Sequence, residues 1–304
     1  METIKKTCVL RMFISILALF CIVHHATVAS GQEDETSEGG GKKEAVDIKP
    51  GPQVVRCAVI GGMTMTKLWP EIVKRFEAKT GYKTVVVRTG PRTMIVKPFR
   101  EGRADLLTMH SGDITTDLVC DGYGINMRPW TRNDLVIYGP PEDPAHIRGM
   151  KDGVAALRMI AQSESPFLDA NDIGSREMCH NLWKKAGIKP RGKWFLQDES
   201  PRSSAIPLYA SKNKAYVILG RMPYLFKKID FADLQIMVEG DPVMRRPYVV
   251  MEANPQRFPD TNSKGARALA DFLLSAEIQT LLKEFGAREY GGIPLFYPVW
   301  PIGG

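Results

Sequence analysis

Hydroxyl and guanidinium side chains recur in this sequence at one kind of place, just after a short apolar run and just before a helical one. "GGMTMT" supplies Thr64 and Thr66, "RTGPRT" supplies Thr89 and Arg92, "MHSGDITT" supplies Ser111, and "NDIGSRE" supplies Ser175 and Arg176. Short hydroxyls, free backbone N–H groups at the positive end of a helix and arginine forks together make a donor set for an oxyanion. "ESPRSSAI" adds Arg202 and "GRMPY" adds Arg221. One such loop is weak, because Ser and Thr are ordinary helix N-caps; the repetition along the chain carries the inference. Plainer readings stay open beside it. Thr64 and Thr66 either face a ligand or only cap a helix, and Arg176, in a first helical turn, either points at an anion or pairs with Asp172 or Glu177. Arg202 is either a ligand or a solvated loop charge, Arg221 lies in the cleft or outside it, and His110 at the end of an apolar run either binds or packs.

Catalytic and metal chemistry find little to stand on. Cys179 and His180 are sequence neighbours and face different directions from one helix turn, and Ser203 and Ser204 have no base in reach of the pattern. There is no CxxC and no HxxxH spacing, and "MCH" is three adjacent residues that cannot converge on one ion. The expectation is a binding protein without catalytic residues, metal or cofactor.

The elements that must position these loops alternate. "VVRCAVI" is a continuous apolar strand, and a helix from Lys67 to Lys79 buries Leu68, Ile72, Val73 and Phe76 and stops at Gly81. "KTVVVRTG" is a strand, a helical turn passes through Met94 and Phe99, and "ADLLTMH" is a third strand. "TTDLVCDG" reads as a short helix, "NDLVIYG" as a strand, and "IRGMKDGVAALRMIAQ" and "SREMCHNLWKKAG" as helices. "KAYVILG", "LQIMVEGD" and "YVVMEANP" are strands, and the helix from Asn262 onward breaks near Ser275. Apolar strands alternating with helices give an α/β fold with a parallel sheet covered on both faces. In such sheets the loops at the strands' carboxyl ends gather at one edge, where ligands bind.

The chain's ends set the compartment. Residues 1–30 carry Lys5, Lys6 and Arg11, an apolar run from Met12 to Val23 and small residues at Ala29 and Ser30, the layout of a signal peptide. Residues 31–52 are acidic, then Gly-rich, then basic, and read as a disordered leader. The formal charge of +7 drops to +5 once Lys5, Lys6, Arg11 and Glu2 leave with the signal. Charges alternate in sign with no aromatic-interleaved basic run, which argues against nucleic acid. Of the cysteines only Cys57, Cys120 and Cys179 remain, an odd number, and Cys57 in its apolar strand reads as a core residue.

The order of further stretches resembles a family. "FEAKTGYKTVVV", "GRADLLTMH", "DGYGINMRPWTRNDLVIYGPPEDPAHIRG", "LWKKAGIKPRGKWF", "VEGDPVMRRPYVVMEANP" and "SAEIQTLLKEFG" together are similar to the tungstate-binding periplasmic solute-binding proteins of ABC transporters, a branch of the type II periplasmic binding proteins. The resemblance implies a bilobed protein, acting as a monomer, whose lobes close on a small oxyanion such as tungstate or molybdate and deliver it to a membrane permease. It implies one lobe of residues 53–134 with 253–304, another of 138–249, and crossings near Leu135–Gly139 and Tyr248–Asn254. The loops depart from the family: Met63 and Met65 interrupt its threonine run, and Asp169 and Ile173 stand where it has an arginine and a serine. Those departures leave a second reading, a sensor or partner-recognition module with a changed or lost ligand.

Overall fold

The computed structural model describes residues 50–172 and 174–299; the expected signal peptide, the leader up to residue 49, and Ile173 lie outside the described residues. β1 (Val54–Ile60) has six buried residues in seven, as a strand covered on both faces requires. It runs directly into a one-turn helix, α1 (Gly61–Met65), where the sequence suggested a loop, and then into α2 (Leu68–Thr80). α2 buries Leu68, Trp69, Ile72 and Phe76 and ends at Gly81, whose φ of 77° is the left-handed conformation in which glycine usually stops a helix. β2 (Lys83–Gly90), α3 (Arg92–Arg100), β3 (Leu106–His110) and α4 (Asp113–Cys120) complete the alternation.

The next strand departs from expectation. β4 spans Gly124–Gly139, 16 residues, beginning well before the apolar "LVIYG" that announces it. Its register with the neighbouring strand slips between Ile125 and Arg128 and again between Pro129 and Thr131, so the period-two pattern that marks a strand is broken twice. α5 (Gly153–Gln162) starts later than the sequence suggests, because Asp143 accepts the amides of Ile147 and Arg148 and holds that segment in a turn; Asp152 then caps the helix by accepting from Ala155 N. β5 (Phe167–Asp169), α6 (Arg176–Ala186), β6 (Phe195–Gln197), α7 (Ile206–Lys212), β7 (Tyr216–Gly220), α8 (Arg221–Leu225), β8 (Gln235–Val238) and β9 (Arg245–Ala253) follow. α9 (Ser263–Leu273) and α10 (Ala276–Glu284) are separated at Ser275, which caps α10.

The strands form one sheet in the order β2-β1-β3-β9-β4-β7-β5-β6, with β8 also paired to β4. It is mixed and not parallel as expected: β1 with β2 and β3, and β5 with β6 and β7, are parallel, while every pairing of β4 and β9 is antiparallel. β4 is the shared element, pairing with β9 through Asp134 and with β7 and β8 from Leu135 onward. One core forms around β1, β3 and β9 with α2, α3, α9 and α10. Beyond β4 the sheet is covered on both faces: Leu135, Ile137, Tyr216 and Ile218 join a core with Trp183, and Val136, Tyr138, Val217 and Leu219 join another with Ile206 and Phe231. Those alternations are the period-two signature of strands buried on both sides.

A buried ion pair ties the first core together. Arg56 on β1 and Asp105 before β3 are 4% and 1% exposed, and Asp105 accepts from the Arg56 amide at 2.7 Å, its Nη2 at 2.6 Å and the Asn262 amide at 3.0 Å. Removing one member of such a pair leaves an uncompensated buried charge. Asp105→Ala is therefore expected to lower the unfolding free energy by about 3–5 kcal/mol, read as a shift of the urea midpoint with unchanged slope; a shift under about 1 kcal/mol would show that water reaches Arg56.

Candidate ligand-binding site

The parallel strands β1, β2 and β3 bring their carboxyl ends to one edge, and antiparallel β9 brings its amino end there. In register, His110 at the end of β3 lies opposite Tyr248 of β9, and Ser111 N donates to Pro247 O at 3.0 Å. His110 Nε2 and the Tyr248 hydroxyl are 2.9 Å apart, and their rings meet edge-on at 4.4 Å. Gly62 of α1 faces the same pair, since a Cβ there would sit 3.8 Å from the Tyr248 hydroxyl.

Two arginines approach this centre. Arg92, the first residue of α3, places Nη1 so that a Cβ on Gly112 would be 3.6 Å away. Arg246 of β9 donates from Nη1 to Gly174 O at 2.6 Å and from Nε to Asn133 Oδ1 at 3.4 Å. A Cβ on Gly174 would lie 2.4 Å from that Nη1, so the close approach of the guanidinium requires glycine. Burial, reinforced by Arg246 and then Arg92, holds the His110 imidazole well below its ordinary pKa. Burial pushes the Tyr248 phenol up to about 12 against the pull of Arg246 and Arg92. Both rings are thus neutral at physiological pH, beside two guanidinium groups. His110 Nδ1 is buried and has no hydrogen-bond partner among the described residues.

Thr64 and Thr89 meet at this edge, hydroxyl to hydroxyl at 2.8 Å, and Thr64 also reaches Gly61 O at 3.0 Å. Each hydroxyl has a single proton. With the Thr64 proton on Gly61 O, Thr89 donates to Thr64; only when Thr64 turns its proton to Thr89 instead is the proton of the exposed Thr89 left to donate outward. Thr66 departs from the expected role: it is 6% exposed, and its hydroxyl turns back to Gly62 O at 2.9 Å as the end of α1. Met63 is wholly buried and Met65 packs against the same core, so the methionines face inward and do not replace ligand donors.

The residues beyond β4 divide likewise. Ser175 is 1% exposed and its hydroxyl goes to Asp172 Oδ2 at 2.7 Å. Arg176 donates to Asn171 Oδ1 at 2.8 Å and lies 4.0 Å from Asp169, a pairing within the same loop but with neither Asp172 nor Glu177, the partners the sequence suggested. Asp169 in turn accepts from or pairs with His180 Nε2 at 2.9 Å. Arg202 is exposed at the start of a short 3-10 turn. Arg221 requires correction. It is 4% exposed, its Nε bonds Glu239 at 3.0 Å, Nη1 reaches the carbonyls of Ile293 and Pro294, and Nη2 that of Tyr290 at 3.0 Å, so its donors clamp the C-terminal segment.

Residues 57–288 match the family model of bacterial extracellular solute-binding proteins. The chain belongs to that family. Among relatives of this solute-binding protein, one from Haloferax volcanii assigned as an ABC transporter anion-binding protein is 30% identical over 271 residues, 87% of this chain and 77% of its own. The tungstate-binding protein TupA of Peptoclostridium acidaminophilum is 31% identical over 232 residues, 75% of this chain and 79% of its own. The solved structure of the tungstate-binding protein TupA from Desulfovibrio alaskensis G20 superposes with a TM-score of 0.66 at 25% identity, covering 81% of this chain and 98% of that one. Mixed α/β topology and these likenesses agree on the type II periplasmic-binding-protein fold.

Sequence reading did not single out Arg246 and Tyr248, which the structure brings to this edge in this solute-binding protein. The signal was the pair "RR" at the entry of a strand that turns apolar at Tyr248, where the half-buried first residues need partners for their charge. His110 supplies the testable consequence. Its folded pKa lies below the ordinary 6.5, so beneath that pH the unfolded chain binds a proton that the folded chain excludes, and stability is lost as pH falls from 6.5 toward the folded value. The melting temperature is expected to drop on acidification through this window, and His110→Gln to abolish part of the drop; identical pH slopes in the two proteins would remove His110 as the cause.

Proposed function

We propose that this chain is an exported solute-binding protein of an ABC-type transporter that captures a tungstate- or molybdate-like oxyanion and passes it to a membrane permease, without catalysis. The observation that carries this reading is the meeting of Arg92 and Arg246 at the neutral His110–Tyr248 pair, on the edge where β1, β2 and β3 end. A stripped oxyanion needs convergent donors and a surplus of positive charge to offset its lost hydration. Arg92, the Thr64–Thr89 hydroxyls, Ser111 and the amides opening α4 provide one wall, and the loop before α6 provides the other.

Two lobes, residues 53–134 with 253–304 and residues 138–249, close about β4 and β9, so that donors from both walls meet only in the closed state. Family membership and the named ligands of the relatives favour this reading over a sensor that has lost its ligand. The described residues contain no helix long and apolar enough to cross a membrane, and export rests on the expected signal peptide and the family.

A ligand that binds only the folded state stabilises it by mass action, by about 2.7 kcal/mol at one hundred times its Kd. Tungstate and molybdate are expected to raise the melting temperature at micromolar concentration, with sulfate and phosphate weaker. A transition that stays fixed with all four anions at millimolar concentration would sink the oxyanion reading.

A further inference from the structure

Arginines near β4 generally come with acidic partners: Arg221 with Glu239, Arg245 with Asp134, and Arg176 with Asp169. Arg246 differs. Its described partners are the neutral oxygens of Gly174, Asn133 and Tyr248, and among the described residues no carboxylate lies at ion-pair distance from it. Asp172 Oδ2 faces the same glycine and accepts the Ser175 hydroxyl at 2.7 Å; it is not at ion-pair distance from Arg246, but its charge stays nearby and offsets part of the guanidinium's. The groups beside Arg246 on the side facing Arg92 are His110 and Tyr248, both neutral, so neither supplies a countercharge to Arg246. A guanidinium carries five N–H donors, and Arg246 already directs some of them to Gly174, Asn133 and the Tyr248 hydroxyl, with the remainder available to a ligand.

We propose, resting on the oxyanion reading above, that Arg246 and Arg92 form a two-guanidinium clamp around the His110–Tyr248 pair that selects a tetrahedral dianion over a monoanion of the same shape, with Arg246 the deciding charge. Coulomb attraction scales with the product of the charges, so each arginine gains twice as much from a dianion as from a monoanion at equal distance. A dianion also gives up more hydration on entering, and one cation alone does not offset that loss. Gly174 lets the guanidinium reach the start of α6, so the same arginine carries charge from β9 to the loop that faces Arg92 across the proposed cleft.

Tungstate and perrhenate separate charge from shape, because both are tetrahedral tetraoxo anions of similar size, one doubly and one singly charged. Calorimetric titration of the purified chain with each anion reads the ratio of their affinities. Wild type is expected to prefer tungstate, and Arg246→Gln to weaken tungstate by about 30-fold or more while weakening perrhenate far less, collapsing the ratio. Arg246→Lys, which keeps the charge and loses the fork, is expected to hold the ratio within about threefold of wild type. A purely structural arginine would lower both affinities by one factor in Arg246→Gln, and that result, or unchanged affinities, overturns the clamp while leaving oxyanion binding intact. Wild type that binds neither anion overturns the oxyanion reading and the clamp with it. Should Arg246→Gln fail to fold, the lysine variant decides: a ratio lost despite the retained charge also overturns the clamp.

Discussion

The pairing of β4 with β9 is the constraint on which the rest depends. β4 is the strand that both parts of the sheet share, and its register with β9 sets Asn133 opposite Arg246 and Asp134 opposite Arg245. Neighbouring residues on a strand point to opposite faces, so the two consecutive arginines are sent to different tasks. Arg245 lies over the Tyr297 ring at 3.6 Å and approaches Asp134 at 3.6 Å, while Asp134, 2% exposed, accepts from the Tyr297 hydroxyl. Burial raises the Asp134 pKa, and Tyr297 and Arg245 oppose that shift. One arginine is thereby tied into the structure behind the sheet and the other is left for the edge in front. A register slip of one residue would exchange them.

The same strand explains what the sequence did and did not reveal. The first three strands and the helices between them were legible because apolar runs and 3.6-residue spacing persist long enough there to be counted. The start of β4 was not, since Pro129 and two register slips interrupt the pattern, and three-residue strands such as β5 and β6 have no period to read. Among the proposed site residues, Thr64, Thr89, Arg92 and Ser111 were suggested by the rule that ligands gather at the carboxyl ends of parallel strands. Arg246 escaped that rule because it arrives at the same edge from the amino end of an antiparallel strand. Thr66, Ser175 and Arg221 satisfied the rule in type, and only coordinates show their donors turned onto Gly62, Asp172 and the C-terminal carbonyls.

The loop before α6 shows how charge is redistributed within one fold. Where the resembling family has an arginine, this chain has Asp169, 7% exposed, which would oppose an anion if it faced the cleft alone. His180 stands 2.9 Å from one of its oxygens and Arg176 4.0 Å from the other. Loss of the arginine and gain of a carboxylate make that loop less positive by two charges, and Arg176 returns one of them locally. Arg246 supplies the second from β9, across a glycine that leaves room for it.

That relocation changes the physics of closure and not only the identity of a donor. A cation on the moving loop would travel with its lobe, and its attraction to the anion would be felt only when the lobes meet. Arg246 falls in the same proposed lobe as that loop but sits on a strand paired to both β3 and β4, next to the proposed crossing, so the sheet and not the loop holds its charge, which reaches the loop through the Gly174 carbonyl. Neutral His110 and Tyr248 keep neighbouring protons from adding to the positive field, and their burial makes that neutrality costly to reverse. The positive field at this edge therefore precedes any movement of the chain. In the proposed closure mechanism, an anion meeting it is attracted before the lobes move, and closure then has only to supply hydroxyl and amide donors and exclude water.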